Sequence, residues 1–276
     1  MVSKTTVGSP ILSARAFMKR FFLYFLLFLF IAGLAMLAFG FWNAKNIRGW
    51  ASAAGEIKAR HDISAKENGI MANLNALGGK QAEEFKNELD NFQSNLDSIS
   101  NELDSAKNEL EQNSAPRAAK PLQLEMIDYY SQSSQNIRNL AGVIGFTGQV
   151  FEVTIIFDKI KSDTTLNEIK GMIGEAKAKS GGINPDILPS EIRDSGAGLK
   201  TAVNNYLDAL DQYAAGKAES HDQLDASYAD FTQKQTEFWE TRKHLAIYTD
   251  IQSLGARGNQ IDSELLVLER VRFSIK

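Results

Sequence analysis

The hydrophobic pattern begins with an uninterrupted apolar segment, residues 21–42, that contains no charged side chain. Its 22 residues would form about 33 Å of helix, enough to cross a hydrocarbon core of about 30 Å. Basic residues and a tryptophan flank the segment, as is typical where a helix leaves a bilayer. The membrane-flanking residues are Lys19, Arg20, Trp42, Lys45 and Arg48. We therefore predict a single transmembrane helix at 21–42, with the lipid bilayer as its partner, after a short basic N-terminal tail at 1–20.

A cleavable signal peptide is the alternative interpretation of this segment. Its apolar core would be about 7–15 residues long and would end at small side chains. The segment instead ends in bulky residues, among them Phe39, Phe41 and Trp42, which favours a retained anchor. The positive charges on its two sides differ little, so orientation depends on the short leader and the long C-terminal part. We expect a cytoplasmic N-terminus and an extracytoplasmic C-terminal domain.

A heptad pattern dominates the next part of the chain. Leucines recur every seven residues from Leu89 to Leu110, and aromatic or β-branched residues occupy alternate positions between them. Such a 3–4 spacing predicts a helix whose apolar seam faces other helices. Acidic residues flank the seam, and a parallel homodimer would bring them together, so we predict an intramolecular antiparallel arrangement. The seam residues are Phe85, Leu89, Phe92, Leu96, Ile99, Leu103 and Leu110.

Apolar residues at helical spacing also run through the rest of the chain, which is rich in Ala, Glu, Lys, Gln and Leu. We predict long helices at about 44–113, 121–161, 190–215 and 219–273. A short helix is predicted at about 165–178, opened by a capping box of Thr165 and Glu168. The predicted fold is all-α: one N-terminal transmembrane helix followed by an elongated antiparallel helical bundle or coiled coil at 43–276.

Three local alternatives stay open from the sequence. Residues 150–157 have the composition of a β-strand as well as that of a buried helix. The first long helix has a possible hinge at Gly78 and Gly79. The last one is expected to break or bend at Gly255 and Gly258, because glycine weakens a helix interior.

Charge and cysteine content restrict the functional classes. The chain has 30 Lys and Arg, of which four precede the apolar segment, leaving 26 basic against 34 acidic residues in 43–276. A domain with a formal charge of −8 repels phosphate backbones, so we expect no nucleic-acid binding. The absence of cysteine excludes disulfides, thiolate–metal sites and cysteine nucleophiles.

No catalytic pattern is recognisable in the sequence. The three histidines, His61, His221 and His244, lie far apart, and the Glu240–His244 spacing differs from the paired Glu-x-x-His motifs of di-iron bundles. Phosphate-binding loops and nucleophile elbows are also lacking. We therefore predict no catalytic, cofactor-binding or metal-binding residues and no cofactor.

These observations favour a membrane-anchored, non-catalytic helical-bundle protein of the cell envelope that acts by interaction or as a scaffold, with a protein partner or by self-association. The first alternative is a sensory or ligand-binding ectodomain, since a membrane helix leading into a helical bundle resembles in layout the extracytoplasmic sensor of bacterial chemoreceptors. The layout differs from that of a chemoreceptor in lacking a second span and a cytoplasmic output after the bundle, so we expect that such a sensor would act with a partner subunit. An enzyme is the second alternative.

Overall fold

The computed structural model describes residues 10–61, 66, 69–70, 82–157, 159, 164–216, 220–245 and 247–275. Over these residues the chain is all-α, as predicted, and contains no β-strand. A 3-10 turn at Pro185–Ile187 separates the fourth helix from the fifth. The helices are α1 (Pro10–Arg60), α2 (Ala82–Gln112), α3 (Lys120–Phe157), α4 (Leu166–Ser180), α5 (Ser190–Ala214), α6 (Ser220–Lys243) and α7 (Ile247–Glu269).

Helices α2 and α3 form an antiparallel pair joined by a short corner at 113–119. The rings of Phe85 and Phe151 lie 5.0 Å apart at one end of the pair, and Gln123 Nε2 donates to the carbonyl of Leu110 at the other. Six seam residues of α2 are buried and Phe85 is half-buried against them; the six are Leu89, Phe92, Leu96, Ile99, Leu103 and Leu110. The predicted seam therefore packs within the chain.

Helix α3 is the central helix of the bundle and contacts α2, α4, α7 and the 3-10 turn. Every residue from Leu140 to Gly148 is buried, as expected for a helix that is apolar on most of its faces. Residues 150–157 continue this helix, in which Val150, Val153 and Ile156 are buried and the ring of Phe151 packs against that of Phe85 on α2. The strand alternative is therefore wrong.

The segment at 44–113 is not the single helix predicted from the sequence. Helix α1 ends at Arg60 and α2 begins at Ala82. Arg60 pairs with Glu109 at 2.8 Å, and Trp50 donates through Nε1 to the carbonyl of Asn113 at 3.1 Å. These contacts place α1 and α2 side by side and antiparallel, because the apolar faces of both helices are covered when the chain turns back. Gly78 and Gly79, the predicted hinge, lie outside the described residues.

The segment at 219–273 is also divided, but not at the predicted glycines. Helix α6 ends at Lys243 and α7 begins at Ile247, whereas Gly255 and Gly258 lie inside α7. A Cβ atom on Gly258 would lie 3.0 Å from Tyr129 Oη, so this glycine allows close packing on α3 rather than bending. The break allows the two helices to pack on different parts of the bundle: α6 packs on α5, and α7 packs on α1 and α3.

Helix α4 begins with the capping box that the sequence predicts. The Thr165 hydroxyl accepts from the backbone N–H of Glu168 at 3.3 Å, and the Glu168 carboxylate accepts from the backbone N–H of Thr165 at 2.7 Å. Hydrogen bonds from the side chain and then the backbone of Thr165 lower the pKa of Glu168.

Candidate membrane-proximal site

The N-terminal half of α1 presents large apolar side chains to its surroundings. From Tyr24 to Trp42 their exposed fractions run from 47% for Leu26 to 69% for Met36. Two described helical stretches, Tyr24–Arg60 and Lys120–Ile156, are long and apolar enough to cross a membrane. Only 6% of the apolar window is buried in the first, against 67% in the second. Apolar surface of this extent needs an apolar environment outside the bundle.

A second segment of the chain docks where this apolar surface ends. The ring of Phe273 lies so close to Gly40 that a Cβ atom there would come within 2.0 Å of it. The same ring makes an edge contact with Phe41, with centroids 5.6 Å apart. The backbone N–H of Ser274 donates to the carbonyl of Gly40 at 3.1 Å, and Asn43 Nδ2 donates to the carbonyl of Ser274 at 3.3 Å. A side chain at position 40 would therefore require the Phe273 ring to move.

Residues 270–275, called here the docking segment, run along α1 in the direction opposite to its own. An ion pair of 2.7 Å between Lys58 and Asp262 joins α1 to α7 at the end of this contact that lies away from the apolar half of α1. From Lys58 to Gly40, α1 spans about 27 Å. Arg270 and Val271 still donate backbone hydrogen bonds to the carbonyls of Val267 and Leu268, at 3.2 Å each, so the docking segment begins as a turn at the end of α7. The hydrogen bond from the backbone N–H of Ser274 places its last residues at the level of Gly40.

The corner at 113–119 is fixed against the other side of α1. The carbonyl of Asn113, just beyond the last turn of α2, accepts from Trp50 Nε1 at 3.1 Å and from Gln123 Nε2 at 2.8 Å. These bonds satisfy carbonyl groups that a helix end leaves without intrahelical partners. An open groove of about 630 Å³ lies between residues 42–50 of α1 and residues 113–117 of the corner.

The charged side chains around this end of the bundle are basic. We define the basic collar as five exposed residues that make no ion pair with the described part of the chain: Lys45, Arg48, Arg117, Arg270 and Arg272. Lys45 and Arg117 line the groove beside Trp42. The acidic residues of the adjoining elements, Glu56, Glu111 and Glu269, lie beyond the level of Trp50. The collar therefore has a sign opposite to that of the bundle as a whole.

The predicted membrane-flanking residues are distributed as follows. Trp42, Lys45 and Arg48 all lie on α1. Trp42, which is 60% exposed, and Lys45 line the groove, and Lys45 and Arg48 belong to the basic collar. The side chains of Lys19 and Arg20 lie outside the described part of the structure. Helix α1 begins at Pro10, so residues 10–20 of the predicted tail are helical. Proline suits a first helical turn, because the missing N–H has no intrahelical partner there.

Three collar residues, Arg117, Arg270 and Arg272, are not among the predicted membrane-flanking residues, and the docking of Phe273 on Gly40 was not predicted from the sequence. Arg117 and Arg272 lie far apart along the chain, and only the fold brings each of them to α1. The alternation of basic and apolar residues at 270–275 was the available signal. The position of the partner, Gly40, cannot be obtained from local periodicity.

The three histidines do not converge. His61 Nε2 lies 3.2 Å from Glu109 Oε1, and the His221 ring lies 6.0 Å from that of Tyr213. His244 lines a cavity of about 380 Å³ at the corner between α6 and α7, together with Asn136, Asn139 and other residues. Among the side chains that the structure describes, no group of three or more His, Asp or Glu is placed to hold a metal ion.

Comparison of the chain with protein-family models, with curated proteins and with solved structures gives no match.

Proposed function

We propose that this chain is a membrane-anchored, non-catalytic helical-bundle protein of the cell envelope that acts by interaction or as a scaffold. The observation that carries the proposal is the contrast between the exposed apolar half of α1 and the buried apolar face of α3. A lipid bilayer is the environment that an exposed helix of this length and hydropathy requires. In this proposal the N-terminus is cytoplasmic, and the bundle lies on the extracytoplasmic side.

The packing of α1 supports a scaffold function. Helix α1 continues without interruption from the apolar half to Arg60, and its second half packs against α2 and α7. Anchor and bundle therefore share one helix, so that the bundle would keep its orientation relative to the membrane. Helix α3, about 57 Å long, would carry the distal elements away from the bilayer.

The hairpin of α5 and α6 offers a surface for a protein partner or a second copy. Tyr213 and Tyr228 are 51% and 55% exposed on this hairpin. Tyr206 lies between the two helices, stacked on Phe231 with ring centroids 5.8 Å apart, and its burial raises the pKa of its phenol. Tyrosine is enriched in protein interfaces because it combines apolar area with a polar group.

Membrane extraction and crosslinking in intact cells test the two parts of this proposal. The anchor predicts that the protein stays in the membrane pellet in alkaline carbonate. Protease added to sealed cells should digest the bundle, and complete protection would contradict the proposed orientation. A photo-crosslinking amino acid at Tyr228 should give a discrete adduct, and the exposed position Ser98 on α2 serves as the matched control. Release by carbonate would refute the anchor, and the absence of any Tyr228 adduct would refute the interaction surface.

The sensory alternative is favoured by one observation, the cavity of about 380 Å³ beside His244. Its size lies within the range of small-ligand sites. A thermal-shift screen of the full-length protein in detergent would support this alternative if a compound raised the melting temperature of the wild type but not of His244→Ala. If no compound did so, the interaction function would stand alone.

A further inference from the structure

We propose that the docking segment and the basic collar form a second membrane contact that binds the headgroups of anionic phospholipids in the leaflet from which the bundle emerges. This inference depends on the membrane anchor of the proposed function. It adds a ligand class, anionic phospholipid, and assigns the binding to residues 270–275, Lys45, Arg48 and Arg117.

The depth of the docking segment is the first reason. If residues 21–42 span the hydrocarbon core, Gly40 lies about 3 Å inside its edge, since it is two residues before Trp42. Phe273 is held at this level by the contacts with Gly40, and it stays 44% exposed. Ile275 is 69% exposed and follows in the direction of the anchor. Both side chains would therefore contact lipid rather than water.

The position of the charges is the second reason. The interfacial layer of a bilayer is about 5–8 Å thick on each side of the hydrocarbon core. Lys45 and Arg48 follow Trp42 by three and six residues, which places their Cα atoms about 4.5 and 9 Å above it, so that Lys45 lies within this layer and the long side chain of Arg48 can reach back into it. Arg117 shares the groove with Lys45, and Arg272 directly precedes Phe273. Cations at this level face the phosphate groups of the lipids.

The nearby acidic residues do not neutralise this surface. Glu56 follows Gly55 and Glu111 lies at the end of α2, both farther from the anchor than Lys45 and Arg48, whereas Glu269 lies beside Gly55 and directly precedes Arg270 without pairing with it. None of the five collar residues forms an ion pair within the described part of the chain. An acidic protein would also complement these charges, but Phe273 and Ile275 next to them favour a partner that offers apolar tails as well as anionic heads.

The groove between α1 and the corner provides the seat for a headgroup. It holds about 630 Å³ and opens beside Trp42, a residue type that is common at the level of lipid headgroups. Asn46 and Ser114 line it together with the two cations and can donate hydrogen bonds to phosphate oxygens. Basic pockets between transmembrane helices bind anionic headgroups on the cytoplasmic side of membranes, and this groove would bind them in the same way in the other leaflet.

Depth measurement on the full-length protein tests the inference directly. The chain contains no cysteine, so a single introduced cysteine can be labelled with an environment-sensitive fluorophore. The positions are Ile275 for the docking segment, Leu34 for the anchor and Thr232 for the distal hairpin. The protein is reconstituted in phosphatidylcholine vesicles with or without phosphatidylglycerol, and quenching by nitroxide-labelled lipids is recorded.

We expect strong quenching of the Leu34→Cys probe and none of the Thr232→Cys probe in both kinds of vesicle. The Ile275→Cys probe should be quenched severalfold more than the Thr232→Cys probe, and more in vesicles with phosphatidylglycerol. If the Leu34→Cys probe is quenched and the Ile275→Cys probe behaves like the distal one, the inference is wrong while the anchor stands. If the Leu34→Cys probe is not quenched, the anchor itself fails, and the inference fails with it.

Substitution of Gly40 tests the docking. Leucine at this position would displace the Phe273 ring, so Gly40→Leu should reduce quenching of the Ile275→Cys probe to the level of the distal probe. Gly33→Leu is the matched control, because a Cβ atom at Gly33 meets no other atom within 4 Å. Both variants keep the anchor apolar, so the Leu34→Cys probe should stay quenched. Unchanged quenching at Ile275→Cys in the Gly40→Leu protein would contradict the docking.

Charge substitution tests the lipid class. Energy transfer from the tryptophans to dansyl-labelled phosphatidylglycerol or phosphatidylcholine measures which lipid is enriched around the protein. The double variant Lys45→Gln, Arg117→Gln should reduce a severalfold preference for the anionic lipid towards parity. Lys170→Gln on the exposed distal surface of α4 should leave the preference unchanged. An equal preference in the wild type, or one that survives the double substitution, would overturn the proposal.

Discussion

Helices α1 and α3 have similar hydropathy patterns and opposite surroundings. Each contains an apolar window long enough to cross a membrane, but α1 leaves its window exposed whereas α3 buries most of it under α2, α4 and α7. The difference shows that length and hydropathy specify a need for apolar contact, not its source. In α3 other parts of the chain supply that contact, and we propose that lipid supplies it for α1.

The largest expected loss of stability comes from disrupting the packing of α2 on α3. Leu96→Asp would place an unpaired charge at a fully buried seam position of α2 and should cost about 4 kcal/mol of stability or more. Thermal denaturation followed by circular dichroism in detergent would measure it. Ser98→Asp, two residues away on the exposed side of α2, should change the melting temperature little. Equal melting of both variants would show that α3 does not depend on α2.

A charge in the exposed window of α1 should have a different consequence. Leu34→Lys and Leu37→Lys alter two half-exposed positions, and each lysine should cost about 3 kcal/mol of membrane insertion. We expect the double variant to be released by alkaline carbonate while its bundle keeps its helicity. Leu140→Lys in α3 should do the reverse, with loss of the fold and retention in the membrane pellet. If the α1 double variant and Leu140→Lys behaved alike in carbonate extraction and in helicity, the proposed difference between the surroundings of α1 and α3 would be contradicted.

Trp42 and Trp50 mark the boundary between these environments within α1. Trp42 is 60% exposed, whereas Trp50 is 4% exposed and donates to the carbonyl of Asn113. Trp50→Phe should therefore cost about 1 kcal/mol of bundle stability by removing that hydrogen bond. Trp42→Phe should leave bundle stability unchanged, and chemical denaturation in micelles compares the two. If Trp42→Phe destabilised the bundle more than Trp50→Phe, Trp42 would belong to the bundle and the boundary would lie closer to the N-terminus of α1.

The smallest expected effect lies far from both windows, at the N-terminus of α4. Thr165→Ala removes the capping hydroxyl and should cost about 1 kcal/mol at neutral pH. The pKa of Glu168 is lowered from its ordinary 4.5, so its stabilising contribution is present above that value and is lost as the pH falls through the folded-state pKa. The difference between Thr165→Ala and wild type should thus shrink in acid. Thr201→Ala, at an exposed site within α5, is the control, and a pH-independent difference would argue against the capping role.

Local sequence features predicted much of the fold. The spacing of Leu89, Leu96 and Leu103 predicts a helix with a buried seam, and the structure buries all three. Thr165 and Glu168 predict the start of α4 within a few residues. These features are readable because side chains one helical turn apart share a face, and because a cap acts over three residues.

The helices predicted at 44–113 and 219–273 are each divided because of packing against other parts of the chain, and not because of a signal in their own sequences. Leucine and alanine patterns continue through 44–113, yet α1 must end so that Arg60 can meet Glu109 and α2 can cover α1 and α3. The α6–α7 break likewise occurs where the chain changes partners, and Gly258 remains helical against Tyr129.

The candidate membrane-proximal site was predictable only in part. Trp42, Lys45 and Arg48 follow an apolar segment, and their position relative to it is a property of the sequence. Arg117 and Phe273 join them only because the corner and the docking segment return to α1. The sequence alone determined that residues 21–42 form an uncharged stretch with the length of a membrane span and that the apolar faces of the other helices need helical partners. The tertiary structure decided which faces cover one another, because periodicity specifies that a face must be buried and long-range packing selects its partner.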